Sequence, residues 1–220
     1  VNTELIDELK AEIEKGNVSE ALALTQALRE NETKIVHHGK RADSIVKGML
    51  QHSRASSGQK ELTDLNSLVD EYQRLAYHGL RAKDKSFQVT LHTAYDEHVG
   101  KVPVVPQDLG RVVLNLITNA SYAVTERRKL EKNYEPTVWI ATRKQNDGVE
   151  IQIRDNGTGI PERALSKIFQ PFFTTKPTGK GTGLGLSMSY DIVVKNHGGE
   201  LRVDTEEGKG TTFTIVLPNH

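Results

Sequence analysis

Cysteine is absent from the 220 residues. That excludes disulfides and thiolate-ligated metals, and it fits a reducing, cytoplasmic setting. No run of about 18 apolar residues occurs, so nothing in this stretch crosses a bilayer as a helix, and no signal peptide is visible. Neither sign of charge is in excess: 29 Lys and Arg stand against 29 Asp and Glu, with a pI near 7.3. The balance gives no argument for nucleic acid or for membrane contact. No proline precedes Pro103, so nothing interrupts long helices in the first part of the chain.

What is present is an ordinary globular composition, 36% hydrophobic and 26% charged, in a length that suits one large or two small domains. The chain opens at Val1 in mid-helix pattern, which reads as a piece of a longer protein, leaving any membrane anchor or sensor to segments outside it. Leu5, Leu9 and Ile13 recur at helical spacing, and Gly16-Asn17 breaks the run. Asn17 with Glu20 reads as a capping pair for a second helix. Its seam runs Val18, Ala21, Thr25, Leu28, Glu32, Ile35, His38, Ala42, Ile45, Met49 and His52 in 3-4-3-4 spacing. So long a seam predicts an antiparallel helical hairpin that pairs with a second copy into a four-helix bundle. With the fold-back at Gly16-Asn17, residue i opposes roughly 33 − i. The upper half of the second helix then has no partner within this chain.

Ser53 to Lys60 is small and polar and reads as a linker, giving a dimerisation hairpin over 1–57 and a second domain over 58–220. In that second domain the pattern predicts a helix over Leu62–Arg81, a strand over Phe87–Thr93 and a helix over Pro106–Lys129. A hairpin follows over Thr137–Arg143 and Gly148–Asp155, turning at Asn146-Asp147-Gly148. Short helices are expected over Pro161–Phe169 and Leu186–Asn196, separated by a Gly/Lys/Thr loop over Thr174–Gly185. A last hairpin joins Glu200–Asp204 to Thr211–Leu217. The fold class is α+β: a helical hairpin, then a two-layer α/β sandwich.

Two glycine motifs stand out, Asp155-Asn156-Gly157-Thr158-Gly159 and Gly179-Lys180-Gly181-Thr182-Gly183-Leu184-Gly185-Leu186-Ser187. They look like two walls of a nucleotide pocket, with glycines letting backbone N–H groups approach an anion ahead of a helix start. Neither is a Walker loop, since no Gly-Lys pair here (Gly39, Gly100, Gly179, Gly208) is followed by Ser or Thr. The Gly-x-Gly-x-Gly spacing is not a dinucleotide fingerprint either. Asp155 shares strand parity with Val149, Ile151 and Ile153, so it points inward. There a carboxylate needs a partner, and an adenine amino group is one; an Asx turn at the strand end is the other reading. The glycines that follow, Gly157 and Gly159, are expected to clear space for a flat ring. Asn115 and Asn119 lie at i, i+4 beside the core stripe Leu109, Val113, Leu116, Ala120 and Val124. Two amide oxygens suit a hard cation whose other ligands are phosphate and water, or else they form a solvated polar face. Phe172-Phe173-Thr174-Thr175-Lys176 can anchor a lid from which Lys176 and Lys180 reach phosphate. The seam histidines His38 and His52 read as register-fixing polar residues. The single Trp139 offers itself as a titration probe.

In order, Asn115-Leu-Ile-Thr-Asn119-Ala120, Asp155-Asn-Gly-Thr-Gly159, Phe169-Gln-Pro-Phe-Phe-Thr-Thr-Lys176 and the glycine run to Ser187 resemble the N, G1, F and G2 boxes of two-component sensor histidine kinases. Those enzymes share the GHKL (Bergerat) ATP-binding fold with gyrase B and MutL. His197-Gly198-Gly199-Glu200 and Gly210-Thr211-Thr212-Phe213 match its closing strands. The resemblance covers roughly residues 100–220 closely.

It implies ATP and Mg²⁺ as cofactors. Asp155 would accept from the adenine amino group with Thr211 or Thr212 helping through water. Asn119 would ligate Mg²⁺ and Asn115 would orient the metal shell or the γ-phosphate. Gly181, Gly183 and Gly185 would cradle the phosphates, with Thr182 and Leu184 between them, and Lys176 would approach the terminal one. The family often carries Lys or Arg where Tyr122 stands here, with Arg127 as a substitute for that α-phosphate contact. The implied reaction passes the γ-phosphoryl group to a histidine and then to an aspartate on a response regulator. The family's acceptor motif, His-[Glu/Asp]-x-x-x-Pro, is missing; His37-His38-Gly39-Lys40 has neither the acid nor the proline. The acceptor is therefore expected N-terminal to Val1, opposite Gly48–His52, and this chain is expected to bind ATP without phosphorylating itself. A MutL- or gyrase-like clamp and a non-catalytic dimeric scaffold are the alternatives.

Overall fold

A computed structural model of the chain describes residues 1–53, 58–177 and 181–218, without side chains at 41, 44, 45 and 47–53. The chain divides into two compact units. One takes in Val1–Ser53 with Lys176–Thr182; the other takes in Arg54–Thr175 and Gly183–His220. Part of the expected linker, residues 54–57, lies outside the described residues.

In the first unit, α1 (Asn2–Glu14) and α2 (Val18–Ser53) form a hairpin. Its turn is a Schellman motif: Asn17 N–H donates to Glu12 O at 2.9 Å, and Gly16 N–H donates to Ile13 O at 3.0 Å. Gly16 sits at φ 73°, a left-handed conformation that a Cβ would strain. Asn17 Oδ1 caps α2 by accepting from Glu20 N–H at 3.5 Å. Asn31 Nδ2 donates to Asn2 Oδ1 at 3.0 Å, a pair whose numbers add to 33. Leu5 and Leu9 are half-buried, as are Leu24 and Leu28 across from them. Beyond Asn31, Ile35, Val36 and Val46 stand 60%, 49% and 53% exposed, so the upper part of α2 keeps an uncovered apolar side.

The second unit is a two-layer sandwich. Its sheet runs β2 (Thr90–Tyr95), β4 (Thr137–Gln145), β5 (Gly148–Asp155), β7 (Gly210–Pro218), β6 (Glu200–Glu206) in spatial order. The β2–β4 pair is parallel and the others are antiparallel. The helices are α3 (Leu65–Lys83), α4 (Pro106–Leu130), α5 (Glu162–Leu165) and α6 (Gly185–Tyr190), the last continued by a π-helix over Asp191–Asn196. Val149, Ile151, Ile153 and Asp155 face the helices, while Glu150, Gln152 and Arg154 face away. Leu109, Val113, Leu116 and Val124 of α4 meet Ile140, Ile151, Ile153 and Ile215 in one core, so burial of these aliphatics holds the layers together. Pro106 opens α4, and Arg127, Arg128 and Lys129 close it against the negative end of its dipole.

Several elements depart from expectation. β1 (Glu61–Asp64) pairs with β3 (Lys101–Val104) as a separate ribbon of four residues a side that the sequence pattern does not announce. Of the helix expected over 161–169 only Glu162–Leu165 forms. The helix expected over 186–196 widens to π geometry at Asp191.

Candidate nucleotide site

The site in the α/β unit assembles where β5 ends over the middle of α4. Asp155 is only 4% exposed. Its Oδ1 accepts from Gly157 N–H at 2.8 Å, and the Thr211 N–H also donates to the carboxylate. Burial pushes its pKa up to about 6, with those two backbone donors pulling the other way. Thr211 is the cross-strand partner of Asp155 and is buried with it. Thr212 pairs instead with Arg154 and Asp204 on the opposite face. Of the two threonines, Thr211 is the one beside Asp155.

On α4, Asn115 and Asn119 are half-buried, and Ala123 continues their stripe. Asn115 Nδ2 donates to Ser189 Oγ at 3.0 Å, and Ser189 Oγ donates to Gly185 O at 3.0 Å. Asn115 thus already knits α4 to the start of α6.

The glycines owe their identity to the protein's own packing rather than to an open space. A Cβ on Gly157 would lie 2.6 Å from Ala123 Cβ and 2.8 Å from Asp155 Oδ1. One on Gly159, which adopts φ 69°, would lie 2.2 Å from Glu206 O. Gly183 (φ 71°) packs on the backbone of Phe172, itself left-handed at φ 66°. A Cβ on Gly185 would strike Asn115 Oδ1 at 2.2 Å. Room for a flat ring is thus not what fixes glycine at 157 and 159; each lets one segment lie directly on another. Leu184 is buried beside them. The glycine run is split between the units, since Gly181 and Thr182 group with Lys176 in the helical one. Lys180, with Thr178 and Gly179, lies outside the described residues.

Sequence reasoning overlooked a polar hub at Asn156. Its Oδ1 accepts from Thr137 N–H at 2.9 Å and from Tyr134 Oη at 2.6 Å, and its Nδ2 donates to Glu135 O at 2.9 Å. Its own carbonyl accepts from Arg127 Nη1 at 2.9 Å, and the Tyr134 hydroxyl, whose single proton goes to the nearer Oδ1, also lies 2.9 Å from that carbonyl. Arg127 is accordingly committed to this loop and to Glu131. The loop's far side is held by Thr205, whose Oγ1 accepts from Ile160 N–H at 2.9 Å. His197, in sequence only part of a motif, is 3% exposed. Its Nε2 accepts from Val105 N–H at 3.0 Å while Nδ1 faces Ile192 O at 2.8 Å. That pairing requires the tautomer with the proton on Nδ1. The Asx character of Asp155-Asn156-Gly157 was the one sequence signal for the hub; nothing marked Arg127 as its donor.

The donor set also defines what metal it can take. Among the described residues no group of three His, Cys, Asp or Glu could hold a metal ion. Neutral amides on α4 fit a cation that arrives with its phosphate ligands, as Mg²⁺ does with a nucleotide.

Comparison with known proteins agrees with this geometry. Residues 104–220 match the model of the histidine kinase-, DNA gyrase B- and HSP90-like ATPase family. The chain is 37% identical over 194 residues to the sensor kinase CckA of Brucella abortus, covering 84% of this chain and 20% of that protein. It is 31% identical over 178 residues to the sensor histidine kinase ZraS of Escherichia coli, covering 81% of this chain and 35% of that one. It thus spans well under half of either relative. Among solved structures, the catalytic domain of the histidine kinase ThkA superposes with a TM-score of 0.59 at 27% identity, covering 73% of this chain and 96% of that one. A mycobacterial sensor histidine kinase, MprB, superposes with a TM-score of 0.57 at 28% identity, covering 73% of this chain and 98% of its own. With a buried acid, an asparagine-bearing helix and the Asp155–Gly159 turn in one unit, and with sensor kinases as its relatives, the chain belongs to the histidine kinase-, DNA gyrase B- and HSP90-like ATPase family.

Proposed function

We propose that the α/β unit is the ATP-binding core of a sensor histidine kinase, and that Asp155 reads the adenine amino group. The observation that carries this reading is the Asp155 carboxylate, buried at the strand end and held by backbone N–H donors. Burying an acid without a cation is costly, and an exocyclic amine supplies a donor without adding charge.

The phosphates would run along α4 toward Asn119 and the Gly183–Gly185 turn. Asn119 would hold Mg²⁺ arriving with the nucleotide, and the ion would supply charge neutralisation for the transferring group. In the reaction the bond from the γ-phosphorus to the β,γ-bridging oxygen breaks, a phosphorus–nitrogen bond forms on an imidazole, and ADP leaves. The accepting histidine belongs to the parent kinase outside this chain, and an aspartate of a response-regulator receiver domain takes the group next. The helical hairpin joins a second copy; the uncovered side of α2 at Ile35, Val36 and Val46 supports that reading. The hairpin is the dimerisation domain and residues 58–220 the catalytic domain. Hydrolysis in the manner of gyrase or MutL is disfavoured, because Asn115 stands where their general base would and an amide takes no proton.

Calorimetric titration with ATP and Mg²⁺ tests the proposal. Micromolar to millimolar binding that Asp155→Asn weakens by about tenfold or more is expected, the loss of one charge-assisted hydrogen bond. Equal binding by the variant overturns the adenine assignment.

A further inference from the structure

The segment that carries Gly157 is clamped from the α4 side by a single guanidinium. Arg127 Nη1 reaches Asn156 O at 2.9 Å and Gly157 O at 3.4 Å. Its Nε and Nη2 bind Glu131 Oε1 and Oε2 at 3.0 and 3.3 Å. Its carbon centre lies 4.8 Å above the Tyr134 ring, whose hydroxyl donates to the Asn156 side-chain Oδ1 at 2.6 Å. Glu131 fixes the fork in plane and Tyr134 fixes its height. The guanidinium is spent on two consecutive backbone carbonyls, and the next donor along, Gly157 N–H, is bound to Asp155 Oδ1.

We propose that Arg127 is a positioning residue for base recognition: by holding the Asn156 and Gly157 carbonyls it keeps the Gly157 N–H on Asp155 and so fixes the carboxylate toward the adenine amino group. The proposal rests on the adenine reading given above. It differs from a general role in stability because Arg127 acts on the segment that orients Asp155 and on nothing along the phosphate path. Its loss therefore weakens recognition of the base and spares whatever holds the phosphates. Lysine is no substitute, since one ammonium cannot grip Glu131 with two nitrogens and reach two carbonyls in a plane.

The test compares ATP with ITP, whose base presents a carbonyl oxygen in place of the amine. The full chain binds ATP in preference to ITP. In Arg127→Ala and Arg127→Lys that preference falls by about tenfold, the order expected for one misaligned hydrogen bond to a charged group, while ITP affinity changes little. In the Asp155→Asn background, Arg127→Ala costs ATP affinity nothing further, because the two residues act on one contact. Equal losses for ATP and ITP, or additive losses in the double variant, overturn the proposal. Tyr134→Phe removes the hydroxyl that holds the Asn156 side chain and keeps the ring beneath Arg127; it serves as the milder perturbation if Arg127→Ala unfolds, and it must shift the ATP/ITP ratio in the same direction. A wild-type chain with no preference between ATP and ITP would instead defeat the adenine reading itself.

Discussion

Replacing Asp155 by Asn should strengthen the nucleotide-free fold while weakening nucleotide binding. The carboxyl group's pKa stands at about 6 against 3.8 for the free side chain. About two units at about 1.4 kcal/mol each is on the order of 3 kcal/mol. The sign follows from the direction of the shift. The folded chain holds this proton more tightly than the unfolded chain, so stability from this group is greatest below pH about 4 and falls as pH rises to about 6. Above that the deficit is constant. An asparagine side chain keeps the shape and an acceptor for the Gly157 and Thr211 N–H groups but has no charge to desolvate. Urea unfolding without nucleotide, from about pH 3 to about pH 8, should show the two chains nearly equal at the acid end. The Asp155→Asn chain should pull ahead with rising pH, by up to about 3 kcal/mol at neutrality. A variant no more stable than the parent at neutral pH, or a difference that ignores pH, would refute the claim that Asp155 is held ionised at a cost.

Other changes follow from single contacts. Ser121 is 1% exposed and its hydroxyl finds no partner among the described residues, so Ser121→Ala should raise stability by about 1 kcal/mol in chemical denaturation and leave ATP affinity unchanged. His197→Ala strips Val105 N–H of its partner and leaves Ile192 O only the backbone N–H of residue 197; a loss of about 2 kcal/mol is expected in the same assay, and wild-type stability would argue that water takes over at Val105. Gly157→Ala places a methyl 2.6 Å from Ala123 Cβ; the strand end must shift, and calorimetry should find ATP binding weakened by about tenfold or more, with Ala123→Gly restoring part of it.

The parts of the fold that the sequence displayed are those in which a local period meets a large burial term. The parity of Val149, Ile151 and Ile153 placed Asp155 inward, and Gly16-Asn17 fixed the pairing that Asn2 and Asn31 display. The β1–β3 ribbon was illegible because it is four residues on each side, with Pro103 inside and Leu62 69% exposed. The π-helix was illegible because one extra residue in a turn leaves the apolar spacing almost intact. At the site, residue types were readable but their reasons were not. Gly157 and Gly185 looked like room for a ligand and are contacts with Ala123 and Asn115. Arg127 was legible only as a substitute for the α-phosphate contact, and it is bound to two carbonyls and a carboxylate; the carbonyls belong to a loop distant in sequence. Trp139 lies across from Arg154 on the sheet's other face, stacked with His92 and under the guanidinium, so its fluorescence should respond poorly to nucleotide.

The parallel seam between β2 and β4 has a kinetic consequence. The β4–β5 and β6–β7 hairpins close over short turns. Strand β2 must instead wait for the whole span of α4 to fold back before it can dock, and so long a closure delays a strand. Tyr95 and its neighbours should accordingly join the sheet last during refolding and exchange their amide hydrogens first in the native state.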